Sequence, residues 1–322
     1  MQKTFADLAW ERKERKTRRE TFLSEMERVI PWKELERIVK PYAPRETPGL
    51  EGGRPGHPVP VMLRIYFCQN WYQLSDDGIE DTLYDSESVR RFCLGNAALE
   101  SIPDATTIAR FRHVLERHKL QEKLFELVRK KLETAGIMTK TGTIVDATII
   151  HAPSSTKNES KSRDPEMSQT RKGNQWYFGM KCHIGVDEES TTVHTVTATT
   201  AREADVDQFW NLLHGEETVA IGDRAYQSKA NADELYLRDA ELLTPIRKRK
   251  GEELSPRMKA RNRKISARRA PGEHVFWVIK CLFGYRKTRY RGLVKNYLQQ
   301  VTLLMLSNLY RVRRHPAMCC GA

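Results

Sequence analysis

The chain has 322 residues, 39% hydrophobic and 30% charged, and its 55 lysines and arginines outnumber 42 acids to give a formal net charge of +13. This length provides for two or three structural units with a substantial core, and no apolar run approaches the roughly 18 residues of a membrane span. The opening residues lack the apolar stretch of a signal peptide, and none of the six cysteines forms a CxxC pair. We therefore expect a cytoplasmic protein with reduced thiols and no membrane partner.

Residues 1–60 are predicted to form a basic helical arm followed by a linker. Lysines and arginines alternate with glutamates in ERKERKTRRE, and apolar residues such as Phe22 and Met26 then recur at helical spacing, which predicts a helix over residues 11–40. Segment 41–60 contains six of the chain's 14 prolines and four glycines, a composition typical of a linker or an extended arm.

Residues 61–138 are predicted to be entirely helical. Ser75 begins one of the helices, and Asp104 is the predicted N-cap of another. On this second helix, Ile108, Phe111, Val114 and Leu115 mark the predicted buried face, whereas Arg110, Arg112 and His113 lie largely elsewhere. Short helices with tight turns suit a helix-turn-helix-like DNA-binding module and an ordinary helical bundle equally well.

From residue 139 to residue 322 the pattern changes to alternating strands and helices. The predicted strands are 141–150, 176–187, 192–201, 218–226 and 241–246; the predicted helices are 205–215, 229–240, 271–285 and 295–314; and 154–175 is a predicted polar loop. With three leading strands antiparallel, this order is that of a ribonuclease-H-like domain. The predicted fold class is therefore α/β, with a mixed five-stranded sheet and helices, preceded by an all-helical N-terminal region.

Three carboxylates occupy matching positions in this predicted domain. Asp146 lies in the middle of the first strand, Asp223 lies at the polar end of the fourth, and Glu273 follows Pro271 and Gly272 at the start of a late helix. The first and fourth strands would be neighbours with the helix packed over them, so the three acids should converge. Converging carboxylates repel unless cations lie between them, and such oxygen-rich sites hold Mg²⁺ or Mn²⁺.

Each acid also has a structural interpretation. Asp146 could cap a bulge, Asp223 could hydrogen-bond a turn, and Glu273 could be only a favourable charge at a helix N-terminus. The acids that compete for the same role are Asp187, Glu203, Asp205 and Asp207.

The predicted late helix adds an aromatic residue and a cation to the face of Glu273. Trp277 and Lys280 lie four and seven positions further on, and therefore in the same stripe. This stripe suits a metal beside a phosphate backbone. A buried tryptophan with a snorkelling lysine is the alternative.

The excess positive charge is concentrated in one block. Residues 247–291 carry 16 lysines and arginines against three acids, which equals the net charge of the whole chain. Such a block repels itself unless counter-charge is supplied, so it favours a polyanion partner over a simple solvated surface.

These residues and their surroundings resemble the DDE transposases of bacterial insertion sequences, within the insertion-sequence-four superfamily and most closely the group named for insertion sequence five. The resemblance runs from about Phe5 to Arg311. The segments that carry it are LRIYFCQNWYQLSDDGIEDTLYD, PDATTIARFRHVLE, GTIVDATIIHAPSSTKN, RDPEMSQTRKGNQWYFGMKCHIGVD, NLLHGEE and FGYRKTRYRGLVKN.

The resemblance implies a catalytic triad of Asp146, Asp223 and Glu273 that binds two Mg²⁺ ions, for which Mn²⁺ may substitute. It also implies a homodimer or larger assembly on DNA in the bacterial nucleoid. The superfamily has a Tyr-x2-Arg-x3-Glu-x6-Lys signature, and Arg269 and Lys280 match its Arg and Lys. Ser266 stands in place of the Tyr.

The predicted function is that of a transposase, which cleaves double-stranded DNA at the inverted repeats of its element and joins the ends to target DNA. Arg269 and Lys280 would contact backbone phosphates. The other predicted DNA-binding residues are Arg286, Lys287, Arg289, Arg291, Arg110 and Arg112. Two alternatives remain: an inactive DNA-binding repressor of the element, and a nuclease of the same fold without joining activity.

Overall fold

A computed structural model describes residues 12–44, 55–95, 102–157, 159, 161–248, 251 and 253–319. Among these residues, a helical N-terminal region precedes a mixed sheet that is covered by helices. None of the described helices is both long and apolar enough to cross a membrane. Cys68, Cys93, Cys182 and Cys281 are free thiols.

The predicted helix over residues 11–40 is divided in two. Helix α1 (Arg18–Val29) begins at a capping box, in which the Thr17 hydroxyl accepts the Glu20 N–H (3.2 Å) and the Glu20 carboxylate accepts the Thr17 N–H (2.5 Å). Helix α2 (Trp32–Val39) follows Pro31. A proline is favoured next to a helix start but not inside a helix, so Pro31 separates α1 from α2. Residues 1–11 and 45–54, which carry part of the predicted arm and linker, lie outside the described residues.

The prediction that residues 61–138 are helical is confirmed where the chain is described. The helices are α3 (Val59–Trp71), α4 (Asp76–Asp85), α5 (Glu87–Leu94), α6 (Ala105–Arg117) and α7 (Leu120–Thr134). The predicted N-cap Asp104 is present, its carboxylate accepting the Thr107 N–H at 2.6 Å, and Ser75, predicted to begin a helix, caps α4 by accepting the Gly78 N–H at 2.9 Å.

The prediction that Arg112 lies off the buried face of its helix is wrong. Its side chain is buried, donating to Asp76 on α4 (2.8 Å) and to Glu116 one turn further along α6 (3.1 Å). Its guanidinium also stacks over the ring of Tyr290 at 4.7 Å. A buried arginine needs such partners, and here they are supplied by other elements. Arg110 is exposed, as predicted.

The sheet contains six described strands instead of the five predicted. They are β1 (Gly142–His151), β2 (Ser168–Lys172), β3 (Gln175–Asp187), β4 (Val193–Thr200), β5 (Val219–Ile221) and β6 (Glu241–Leu243), and the order is β2-β3-β1-β5-β6 with β4 pairing β3. The additional strand, β2, lies inside the predicted loop 154–175. It is polar and mostly exposed, so it carries no hydrophobic alternation that would have revealed it.

The strand pairing follows the predicted arrangement. Strands β1, β3 and β4 are antiparallel, and β1 is parallel to β5. The neighbours of β1 are therefore β3 on one side and β5 on the other, which makes β1 an interior strand of the sheet.

The predicted helix over residues 205–215 is instead a pair of 3₁₀ turns, Asp205–Gln208 and Trp210–Leu212. Phe209 and Leu212 are both fully buried. Residues three apart share a face in a 3₁₀ helix, which has three residues per turn, so this geometry buries both side chains. Helix α8 (Lys229–Leu237) forms where it was predicted.

The late helix begins 15 residues earlier than predicted. Helix α9 (Pro256–Trp277) starts at Ser255, whose hydroxyl accepts the Met258 N–H at 3.2 Å, and Pro256 occupies the first helical position. Pro271 therefore lies inside the helix, and Glu273 lies in its last two turns. A π-helical turn, Val278–Leu282, follows directly.

The C-terminal helices are α10 (Leu293–Val312) and α11 (Pro316–Cys319). Buried residues of α10 belong to the same hydrophobic cluster as those of the N-terminal helices and of the sheet. The hydroxyls of Tyr66 on α3 and Thr302 on α10 lie 3.0 Å apart within it. The division of the chain at residue 138 stays a prediction, and a shared core joins the two sides of it.

Candidate active site

The register of the two central strands brings Asp146 and Asp223 to the same level. The last described pair between β1 and β5 is Ile144 with Ile221, and each aspartate lies two positions beyond it. Since side chains on one face of a strand repeat every two residues, both carboxylates continue the face of this last pair. Gly222 permits the close approach, because a Cβ there would lie 3.0 Å from Cγ2 of Val145.

Helix α9 crosses the same face of β1 and brings Glu273 to the two aspartates. A Cβ on Gly272 would lie 2.9 Å from Cγ2 of Ile144, closer than real Cβ atoms approach, so a side chain there would force the helix or Ile144 to shift. Two turns further on, the Lys280 amine donates to the Thr148 hydroxyl at 2.6 Å. The helix thus runs along β1 from Ile144 to Thr148, past Asp146.

The three acids line one cleft, with a volume of about 530 Å³. Asp146 is buried, with 9% of its surface exposed, whereas the side chains of Asp223 and Glu273 are 40% and 57% exposed. The negative charges of the other two acids act on Asp146, as expected for carboxylates that share a pocket.

Arg269 is the cation among these acids. Its guanidinium pairs with Glu273, one helical turn away, and lies 4.0 Å from the carboxylate of Asp223. The predicted helix over residues 271–285 would leave Arg269 outside it, and this is wrong, because the earlier start of α9 places Arg269 on the same helical face as Glu273.

Burial raises the pKa of Asp146 from 3.8 to about 6, and the Ala147 N–H and Arg269 only partly oppose this effect. The Asp146 carboxylate accepts the N–H of Ala147 at 2.9 Å. An ionised carboxylate in this position therefore lacks full compensation.

Replacing Asp146 by asparagine should increase stability. Because the pKa of Asp146 is raised in the folded state, its ionised form destabilises the fold increasingly as pH rises from 4 through 6. Above that range, a pKa raised from 3.8 to about 6 corresponds to a loss of roughly 3 kcal/mol in the free energy of unfolding. Urea unfolding in EDTA at pH 7.5 should show Asp146→Asn to be more stable than the parent, with an advantage that shrinks toward pH 4.

The matched control is Asp205→Asn. Asp205 lines the same cleft, but its carboxylate accepts from Lys181 at 2.8 Å. Removing it should therefore lower stability, because the amine loses its partner. An Asp146→Asn protein less stable than the parent at pH 7.5 would contradict the assignment of an uncompensated buried charge.

Oxygen-rich donors of this kind suit a divalent cation such as Mg²⁺. Within the described ranges, however, no three His, Cys, Asp or Glu side chains stand close enough together to form a ready metal site. Arg269 pairs with one of the three acids and lies near a second. The donor set fits a divalent cation, and binding requires the carboxylates and this guanidinium to adjust.

Lys280 and Trp277 have different environments, although they share a helical stripe. The amine of Lys280 is part-buried and also donates to the carbonyl of Ile149 at 2.9 Å; burial lowers its pKa. Trp277 is half-exposed. The alternative of a buried tryptophan is therefore wrong.

The competing acids are placed elsewhere or already paired. Asp187 is buried and accepts from the backbone N–H groups of Lys140 (2.8 Å) and Ser190 (2.9 Å), so it closes a turn. Glu203 and Asp207 are exposed. Asp205 is in the cleft but is paired, as described above.

Sequence reasoning missed three cations of the cleft, Arg171, Lys172 and Lys181. The first two lie on the unpredicted strand β2. Lys181 lies on β3, where its amine binds both Asp205 and the carbonyl of Glu203 (2.6 Å). The only available sequence signal was the alternation of Lys181 with apolar residues along β3.

Most of the described lysines and arginines of the basic block are exposed, including two that also pair within the chain. Arg268 binds Glu188 through two hydrogen bonds of 2.5 and 2.9 Å, and Arg286 donates to the carbonyl of Lys280 at 3.2 Å. Arg289 is half-buried, whereas Lys287 and Arg291 are exposed. Other exposed members of the block lie along α9: Arg257, Lys259, Arg263 and Lys264.

Together, the sheet, the covering helix and the cleft define an α/β protein whose central strands present acids to a pocket bordered by cations. Residues 137–309 match the family model described as Transposase DDE domain, and residues 10–114 match the one described as Transposase domain (DUF772). The first match covers more than half of the chain. The chain therefore belongs to the family of DDE-domain transposases, enzymes that cleave DNA.

Proposed function

We propose that this protein cleaves DNA at the ends of a bacterial insertion sequence of the insertion-sequence-five group and joins the freed 3′ ends to target DNA. Its catalytic domain would be ribonuclease-H-like, a proposal supported by the mixed sheet in which β1, β3 and β4 are antiparallel and β5 is parallel to β1. The observation that carries the proposal is the meeting of Asp146, Asp223 and Glu273 in one cleft.

The three carboxylates would hold two Mg²⁺ ions, which Mn²⁺ could replace. Such ions activate water and stabilise the leaving oxygen of a phosphodiester. The buried carboxylate of Asp146 supports this role, because a bound cation would compensate its desolvated charge. Asp223 and Glu273 are the more exposed donors; Asp223 also accepts the N–H of Ala225 at 2.7 Å, and Glu273 pairs with Arg269.

Two cations of the chain would position the DNA backbone. Arg269 lies beside the acids, and its guanidinium can bind a phosphate through two hydrogen bonds. The amine of Lys280 is held against β1 by Thr148 and the carbonyl of Ile149, two residues that line the cleft, so it would act as a fixed point charge beside it.

The basic block and the N-terminal helices would bind the inverted repeats. Phosphate contacts supply affinity and base contacts supply specificity. Arg110 is exposed and remains a candidate, together with Arg286, Lys287, Arg289 and Arg291. Arg112 does not belong to this set, because its side chain is buried in an ion-pair network. A homodimer or larger assembly would pair two ends.

Charge reversal at Lys287 and Arg291 should weaken binding to end and random duplexes alike. Each phosphate contact contributes about 0.9 to the slope of log K against log salt, so losing two should flatten the slope by roughly 2. Titration of a labelled duplex between about 50 and 200 mM salt measures this. Reversing Lys229 and Arg238, exposed on and just after α8, is the matched control; equal slopes for both pairs would show that the block is ordinary surface.

The proposed function can be tested with the genomic DNA that flanks the gene. Inverted repeats that flank the reading frame identify the ends, and a labelled duplex of one end is incubated with the protein and Mg²⁺. Nicking at the repeat boundary followed by joining to a plasmid supports the proposal. Nicking without joining supports the nuclease, and binding without nicking supports the repressor.

A further inference from the structure

A second cavity, the aromatic pocket, lies among the N-terminal and C-terminal helices. It has a volume of about 450 Å³ and shares no lining residue with the acidic cleft. The ring of Phe22 on α1 lies 5.1 Å from that of Trp71 and 6.2 Å from that of Tyr310. The aromatic residues that line the pocket are Phe22, Trp71, Tyr72, Phe283 and Tyr310. Such a lining suits an aromatic or apolar side chain as occupant.

The rim of the aromatic pocket is positively charged. Its charged residues are Arg18, Arg19, Arg313, Arg314 and Glu25. Arg313 and Arg314 donate to Glu25 at 2.8 and 2.9 Å, whereas the Arg19 guanidinium lies 4.8 Å from the ring centre of Tyr72 and Arg18 is exposed. Because one glutamate cannot neutralise four guanidinium groups, the rim favours an acidic partner.

Two polar atoms of the residues that line this pocket lack partners. The indole N–H of Trp71 and the hydroxyl of Tyr72 are buried, and neither has a hydrogen-bond partner among the described residues. A buried polar group without a partner costs free energy. An occupant that carries carboxylates or a hydroxyl group could relieve this cost, which an apolar occupant could not.

A surface of matching chemistry lies on helix α4 of the same chain. Its exposed acids recur every four residues and form an acidic stripe: Asp77, Asp81 and Asp85. Tyr84 is half-exposed and lies in the same stripe. Other acids of α4 are used within the chain, since Asp76 binds Arg112 and Glu80 accepts the N–H of Ala105 at 2.7 Å. The stripe thus offers a tyrosine flanked by carboxylates.

The aromatic pocket and the acidic stripe border each other. Arg19 on the rim donates to the hydroxyl of Ser86, the residue that ends α4, at 3.3 Å. Tyr84 lies two residues before Ser86. When two complementary surfaces adjoin on one molecule, a two-fold axis between two copies can bring each surface against its complement, and the contact is then made twice. DNA is a poorer occupant, because the neighbouring acids would repel its phosphates.

We infer that the aromatic pocket receives Tyr84 and the acidic stripe of a second copy of this chain, and that the protein dimerises through this contact before it binds DNA. The inference rests on the proposed function in one respect, because it names the surface of the assembly that would pair two DNA ends. Buried tyrosines are frequent anchors of protein interfaces, and the charges around them determine partner choice.

The test measures the dimer dissociation constant of the full-length protein by sedimentation, without DNA or metal. Asp81→Arg on the stripe and Arg18→Glu on the rim should each raise this constant at least about tenfold, which is ~1.4 kcal/mol, because like charges then meet in both contacts. Tyr84→Ala should do the same by removing the anchor. Folding should be unaffected, since all three side chains are exposed and a glutamate is favourable in the first turn of α1.

Mixing the Asp81→Arg and Arg18→Glu proteins separates this contact from other modes of association. A dimer with one copy of each variant has one parental contact and one contact in which the charges are exchanged. We therefore expect the mixture to dimerise with nearly parental affinity, although neither variant does so alone. The matched controls are Asp233→Arg and Tyr236→Ala, at an exposed acid and an exposed aromatic residue of α8, and both should dimerise like the parent.

Several results would overturn the inference. They are a parent that stays monomeric, a mixture that does not dimerise, and control variants that lose as much affinity as the test variants. If Arg18→Glu weakens DNA binding but leaves the dimer intact, the rim is a DNA contact and the inference is also wrong. A monomeric parent that still nicks and joins element ends overturns only the inference, whereas a dimer that neither nicks nor joins overturns only the proposed function.

Discussion

Glu273→Gln should cut a labelled end duplex at least about 1,000-fold more slowly than the parent in Mg²⁺, a loss of ~4 kcal/mol in the barrier. Glutamine keeps the shape of the side chain but removes the charge that would hold a metal, and metals supply both the nucleophile and the stabilisation of the leaving group. Folding and DNA binding should stay near the parental values, because Glu273 is largely exposed. Asp146→Asn and Asp223→Asn should lose cleavage to a similar degree.

The control comes from the same cleft. Asp205→Asn removes a carboxylate that already has Lys181 as its partner, so this variant should cut within about tenfold of the parent, a difference of ~1.4 kcal/mol. Single-turnover nicking at saturating protein separates the chemical step from binding. If Glu273→Gln also cuts within tenfold of the parent, Glu273 is no ligand and the third carboxylate lies elsewhere.

Gly272→Ala should both destabilise the protein and slow cleavage. In an ordinary helix interior this change stabilises by roughly 0.5–1 kcal/mol. Here the new Cβ would stand 2.9 Å from the branched Ile144 side chain, which is fully buried. Overpacking of this kind typically costs about 1–3 kcal/mol. Helix α9 should move off β1 and take Glu273 with it, and a displacement of about 1 Å can cost on the order of 100-fold in rate.

A double-mutant cycle isolates this contact. Ile144→Ala alone leaves a cavity and should cost about 2–5 kcal/mol, but it also removes the methyl group that meets the new Cβ. Combined with Gly272→Ala, it should therefore cost less than the sum of the two single changes, by at least about 0.5 kcal/mol. Additive free energies of unfolding would show that the helix and strand do not depend on this glycine.

Local sequence was sufficient to predict the elements that carry the two aspartates. Asp146 lies within a run of β-branched residues, and Asp223 follows a short apolar strand, so both strands were recognisable from their own side chains. The predicted pairing of β1 with its parallel neighbour is also present. The three acids were predicted to converge, and they line one cleft, whereas their role as metal ligands stays a proposal.

Other features depended on residues far away in the sequence. Arg112 carries a charge that sequence reasoning placed in solvent, but Asp76, on another helix, pairs with it in the interior. Strand β2 has no hydrophobic alternation of its own, and it exists because β3 supplies its hydrogen bonds. The helical position of Glu273 was misjudged because Pro271 is ordinarily a helix breaker.

The sequence by itself therefore determined the strands that carry Asp146 and Asp223 and the concentration of positive charge, since these depend on local propensity and composition. The tertiary structure decided how the acids meet. It placed Gly272 against Ile144, Arg269 beside Glu273, and residues 170–172 of strand β2 along the cleft wall. Such placements follow from the packing of distant segments against one another, and no local pattern in the chain encodes them.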